Sequence, residues 1–253
     1  MKYFTEKDSI IRKIWGKADT VLFIFAGASA EFTLNRAVDW LYYTGRLPAD
    51  PLGRLFSTVA YSRMILFSDE ENALKYIDQV TAIHQSVETS RGTKIPAEAY
   101  LEVLYMLVDY SIRACELLEK KLSGKEKAEI FDVFAQVGTR MGLESLASSY
   151  EEYVGDRRQQ LTNGLFYNQY SEDLYRQYRK HLGPSRFLLL KQVQLLVAPQ
   201  QVNHKLNRYQ IKWLLPLLQL YKILRFFKLE NWVKTAMLPQ EYARQLKNLD
   251  TAF

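Results

Sequence analysis

The sequence predicts an all-α fold, and three observations carry that prediction. Apolar residues recur at helical spacing, capping signatures stand at the head of those runs, and turn punctuation is sparse. With 11 Gly and 7 Pro in 253 residues, there are too few breakers for a succession of short strands. No alternating strand pattern of useful length is present. Internal repeats, low-complexity tracts and Pro/Ser-rich linkers are also missing, so one helical domain over 1–253 is expected.

The elements follow in order. Asp50-Pro51 reads as an N-cap followed by proline in the first turn, opening a helix to about Phe67. Ser68-Asp69-Glu70-Glu71 has the S-x-x-E spacing of a capping box and opens the next helix, to about Val87. Pro96 precedes AEAYLEVLYMLVDYSIRACELLEKKL, in which Leu101, Leu104, Tyr105, Val108, Ile112 and Cys115 recur at helical spacing. Met106 and Leu107 widen that stripe, as in a helix central to a bundle. Ser123-Gly124-Lys125-Glu126 repeats the capping signature, with Gly142 placed as a stop. Ser171-Glu172-Asp173 opens a Tyr- and Arg-rich helix ending near Gly183-Pro184. The tail WLLPLLQLYKILRFF (Trp213 to Phe227) carries Gln219, Lys222 and Arg225 as a polar stripe. That pattern suits an amphipathic helix packed on the domain, or one touching a membrane surface or a partner.

Composition excludes several classes. A single cysteine, Cys115, rules out an internal disulfide and any multi-Cys zinc site. The N-terminus MKYFTEKDSIIRKIWGKAD lacks a leader core, and the apolar run Val21 to Ala30 is shorter than the roughly 20 residues a span takes. A cytoplasmic protein is therefore expected. The net charge of +6 invites a nucleic-acid reading. However, acidic and basic residues interleave almost everywhere along the chain and no nucleic-acid signature is visible, so no nucleic-acid partner is expected. No G-x-S-x-G, G-x-x-x-x-G-K-[ST] or G-x-G-x-x-G occurs. The three histidines, His84, His181 and His204, are not paired at a chelating spacing.

Two groups of residues could carry chemistry. His84 shares an apolar stripe with Ile77, Val80 and Val87, where a histidine is either a hydrogen-bonded core residue or a ligand. Arg54, Thr58, Tyr61 and Ile65 share a face of the preceding helix, beside an apolar face made by Leu52, Leu55, Phe56 and Val59. An arginine there either reaches out to water or turns with Thr58 into a cavity, where the pair could bind an anionic group.

The stretch ADPLGRLFSTVAYSRMILFSDEENALKYIDQVTAIHQSVE resembles the MpaB and rubber-oxygenase (latex-clearing protein) family. The likeness lies in Asp50, Pro51, Arg54, Leu55 and Thr58, the acidic helix start, then His84 and Val87. The later segment Leu107-Val108-Asp109 extends it, and the whole covers Ala49 to Leu146. The resemblance implies a globin-like all-helical fold holding haem b, with His84 as iron ligand and Arg54 and Thr58 near the haem on its oxygen-binding side. It implies a haem-dependent oxygenase acting with dioxygen on a hydrophobic substrate of isoprenoid type. Val80, Ile83, Leu107 and Val108 would face the macrocycle, and Arg54, Arg63 or Arg91 its propionates.

The sequence departs from the family in three places. Ser57 stands where rubber oxygenases carry a distal lysine. The family tryptophan upstream of Leu107 has no counterpart, and the catalytic carboxylate could fall on Asp39 or Glu31. A haem-binding or sensing protein without turnover, and a non-enzymatic helical interaction module, therefore remain as alternatives.

Overall fold

The computed structural model describes residues 2–36, 38–45, 49–207 and 211–226. They form α1 (Ile10–Trp15), α2 (Ala18–Phe32), α3 (Val38–Tyr43), α4 (Pro51–Phe67), α5 (Glu70–Arg91) and α6 (Ala97–Leu118). These are followed by α7 (Gly124–Arg140), α8 (Tyr150–Asn163), α9 (Gln169–Val197), α10 (Gln200–Lys205) and α11 (Leu214–Phe226). The fold is all-α; among the described residues the only extended pairing is two isolated bridges, Tyr3–Asp69 and Asn35–Leu165.

α6 is central. Leu104, Tyr105, Met106, Val108 and Tyr110 are all buried, so neighbours cover it on more than one face. α2 packs along it, and α9 lies against α2. The two backbones of α2 and α6 run close because Gly27 has no side chain: a Cβ there would lie 2.3 Å from the Tyr110 ring. Trp15 of α1 closes the core, donating from Nε1 to Ser111 Oγ at 3.0 Å. Its ring meets Phe25 edge-on, with centroids 5.8 Å apart.

Caps set the helix ends as the sequence indicates, with three shifts. Asp50 accepts from Gly53 N ahead of Pro51, and Ser123 and Glu126 complete both halves of a capping box. Gly142, at φ 76°, supplies the left-handed stop after α7. α5, however, is capped by Asp69, which accepts from Asn72 N. Ser68 is drawn away because its carbonyl accepts from Phe4 N. α5 also runs a turn beyond Val87, to Arg91 and a left-handed Gly92. α9 starts earlier than Ser171, because Asn168 takes the cap and Ser171 Oγ accepts from its backbone. At Gly183, φ 72° and ψ 171°, α9 breaks just before Pro184, and a second helical stretch follows at once. Phe227 lies outside the described residues.

Candidate functional site

A cavity of about 450 Å³ opens between α2, α4, α5, α6 and α9, a size within the usual range for small-molecule and cofactor sites. Its walls are mostly apolar. α2 gives Leu22, Phe25 and Phe32, α6 gives Leu104, Met106 and Leu107, and α9 gives Leu189 and Val193. Ile83 and Val103 line it while remaining 40% and 36% exposed, which places an opening between α5 and the start of α6.

His84, Arg54 and Thr58, the residues expected at the site, all line this one cavity. α4 and α5 pack as a pair, and that packing brings the D-P-x-x-R-L-x-x-T face opposite the histidine. The Nδ1 atom of His84 is buried and has no hydrogen-bond partner. Burial, and then the Arg54 guanidinium, hold the imidazole pKa below its ordinary value, against an opposing pull from Glu88. The ring is therefore neutral at pH 7.

The ring has an organised neighbour that the sequence reading passed over. The Tyr100 ring meets His84 edge-on at 5.2 Å, and its hydroxyl donates to Glu88 Oε1 at 3.2 Å. The same oxygen accepts from Ile95 N at 2.9 Å. Glu88, one turn after His84, thus ties the α5–α6 connection and Tyr100 together beside the imidazole. The i, i+4 spacing of His84 and Glu88 was visible in the sequence; Tyr100 could be found only through its shared face with Leu104 and Leu107. Arg186, the first turn past the α9 break, also lines the cavity, and no sequence period points to it.

Other expectations do not hold. Arg63 is buried, donating to Trp15 O at 2.5 Å and stacking over Phe67, so it is off the cavity wall. Arg91 lies over the Trp40 ring at 4.0 Å and is not a wall residue. Val108 is buried in the core and is not a wall residue. Ser57 is absent from the wall too, and its Oγ donates to Arg54 O at 2.8 Å. Thr58 Oγ1 donates to the same carbonyl at 3.1 Å, which leaves its lone pairs able to accept.

Of the two carboxylates upstream, the Asp39 side chain lies outside the described residues, and Glu31 is not on the wall. Glu31 accepts two bonds of 2.6 Å from Arg157 and one of 2.9 Å from Tyr110 Oη. Arg157 also donates to Asp109 Oδ2 at 3.1 and 3.0 Å. This buried knot pins α2, α6 and α8 together. Among the described wall residues there is no Asp, Glu or Lys, and the cations are Arg54 and Arg186.

Fold and site define a helical protein built around one apolar chamber, with a neutral histidine and an arginine on its wall. Residues 14–251 match the sequence profile of the family described as ER-bound oxygenase mpaB/B'/Rubber oxygenase, catalytic domain. The chain belongs to that family, and its function is of the oxygenase kind, with a metal or haem cofactor in general. No curated protein and no solved structure matches it.

Proposed function

We propose that the chain is a haem-b-dependent oxygenase in which His84 would hold the iron and the substrate is a hydrophobic molecule of isoprenoid type. The observation that carries this reading is the buried, unpartnered Nδ1 of a neutral imidazole on the wall of an apolar cavity. An unsatisfied buried polar atom costs about 1–3 kcal/mol, a cost that a ligand bound in the cavity would offset. Among the described residues no group of three or more His, Cys, Asp or Glu could hold a bare metal ion. A prosthetic group that brings most of its own metal ligands suits a lone histidine better.

The residues present fit haem. Arg54 disfavours protonation of His84 and so keeps it in the ligating form, and its charge suits an anionic carboxylate at the cavity edge. Tyr100 holds the ring plane from the side. Val80, Ile83 and Leu107 give an apolar wall that excludes water, and Thr58 offers a hydrogen-bond acceptor one turn from Arg54. Bound haem would supply the dioxygen chemistry, while the chain sets ligand, polarity and access. Purified protein, as isolated or after adding haemin, should show a Soret band that His84→Ala abolishes or shifts. Protein that is colourless and rejects haemin would overturn the assignment.

A specific observation favours a second reading, haem binding without turnover. No carboxylate stands on the described wall, and Glu31 is fully engaged by Arg157 and Tyr110. Oxygen uptake by the haem-loaded protein with polyisoprene or farnesyl compounds separates the two.

A further inference from the structure

Charge is not uniform along this chain. Between Asp173 and Glu230 there are eleven lysines and arginines and no aspartate or glutamate, which leaves the remainder of the chain net acidic. Arg179, Lys180, Lys205 and Lys212 from this stretch are exposed. An uninterrupted basic segment of this length favours an anionic partner surface.

α11 lies inside that segment, and its apolar residues divide into two sets. Leu218 and Tyr221 turn inward, at 3% and 9% exposure, and Tyr221 Oη donates to buried Asp19 Oδ2 at 2.8 Å. The helix is thereby fastened to α2. Trp213, Leu217 and Leu220, spaced i, i+4 and i+7, form a line along another flank at 41%, 50% and 52% exposure. Ile211 and Leu215 are also exposed, at 85% and 41%, and exposed Lys212 stands just before the line. Isolated surface leucines need no explanation, but a row with an interfacial tryptophan, set in an acid-free basic stretch, does.

We propose that this flank of α11 docks the protein on the surface of an anionic lipid bilayer. The helix is 13 residues long, and among the described residues none is long and apolar enough to cross a membrane. It would lie in the plane of the interface, its leucines entering the acyl boundary and Lys212 meeting the headgroups. Charge alone would suit nucleic acid equally, but an aliphatic row contributes nothing to a phosphate backbone, so lipid is favoured. This inference is independent of the identity of the cofactor. It brings an apolar chamber to the place where hydrophobic molecules dissolve.

The test is sedimentation of the full-length protein with vesicles of phosphatidylcholine, with and without phosphatidylglycerol. Binding should require the anionic lipid and weaken as salt rises. Lys212→Gln should lower partitioning about fivefold, and the double change Leu217→Ser with Leu220→Ser by about tenfold. Both leucines are exposed, and circular dichroism checks that the fold is kept. As an independent measurement, lipids brominated on their acyl chains should quench fluorescence in the wild type more than in Trp213→Phe. Three results would each overturn the proposal: wild-type protein left in the supernatant with anionic vesicles at low salt, full binding by the double leucine variant, or binding to single-stranded RNA that displaces the vesicles without any need for the leucines.

Discussion

Replacing Arg157 by methionine removes the cation that joins Glu31 to Asp109, and leaves Asp109 only its Arg113 partner at 2.7 Å. The Arg157 and Glu31 side chains are 6% and 5% exposed, so solvent cannot take over the lost bonds. Two bonds to Glu31 at 2.6 Å and two to Asp109 at 3.1 and 3.0 Å disappear together. They leave Glu31 buried without a positive charge beside it, while Asp109 keeps Arg113. Breaking a buried pair from one side costs about 3–5 kcal/mol. For a domain of this size each kcal/mol lowers the melting temperature by about 2–4 °C, so a fall of about 6–20 °C is expected. Urea unfolding and calorimetry of the full chain measure it. Glu31→Gln, which keeps an acceptor for Arg157 and Tyr110, should lose less. A loss under about 1 kcal/mol for Arg157→Met would refute the claim that this knot holds α2 and α6 to α8. Loss of haemin binding in Glu31→Gln with unchanged melting would show instead that Glu31 acts at the cavity.

Other predictions follow from the same geometry. Gly27→Ala places a Cβ 2.3 Å from a Tyr110 ring whose hydroxyl is held by Glu31; the ring cannot move freely aside, and thermal melting should reveal a loss of about 1–3 kcal/mol. Tyr100→Leu should weaken haemin affinity about tenfold, and Tyr100→Phe, which keeps the ring, by less; equal affinity in all three proteins would remove Tyr100 from the site. The His84 pKa is lowered from 6.5 by burial and Arg54, so below pH 6.5 the unfolded chain binds its proton first. The apoprotein should therefore lose stability as pH falls through 6.5, and the loss should level off below the folded pKa. In His84→Gln that part of the acid limb should vanish. Cys115 is buried with its thiol pushed up to about 11, so the native protein should resist alkylation at pH 8 and react only after unfolding.

Much of the fold was legible because local signals and tertiary packing agree in this chain. Asp50-Pro51, the Ser123 capping box and Gly142 each set a helix end through bonds made within a few residues. Where the reading slipped, a distant group intervened. Phe4 engages the Ser68 carbonyl across sixty-odd residues, and the cap moved to Asp69. The central position of α6 followed from its apolar girth. Within the site, the face shared by Arg54 and Thr58 and the stripe carrying His84 were visible as periodicity. That they meet across one cavity depends on α4 packing against α5, which periodicity does not encode. Arginine assignments were the least legible: Arg63, Arg91 and Arg186 look alike in sequence, yet carbonyl and ring partners far along the chain claim the first two and only the third reaches the wall.

A chamber of about 450 Å³ lined by leucine, valine and phenylalanine has a thermodynamic consequence of its own. Packing forgone there makes the ligand-free protein less stable than its helix content suggests, and any molecule that fills the void restores it in proportion to its affinity. A ligand at a hundred times its dissociation constant adds about 2.7 kcal/mol, or about 5–11 °C in melting temperature at this chain length. The fold thus reports its own occupancy as heat resistance, and a library of apolar compounds can be ranked by melting alone, before any reaction is known.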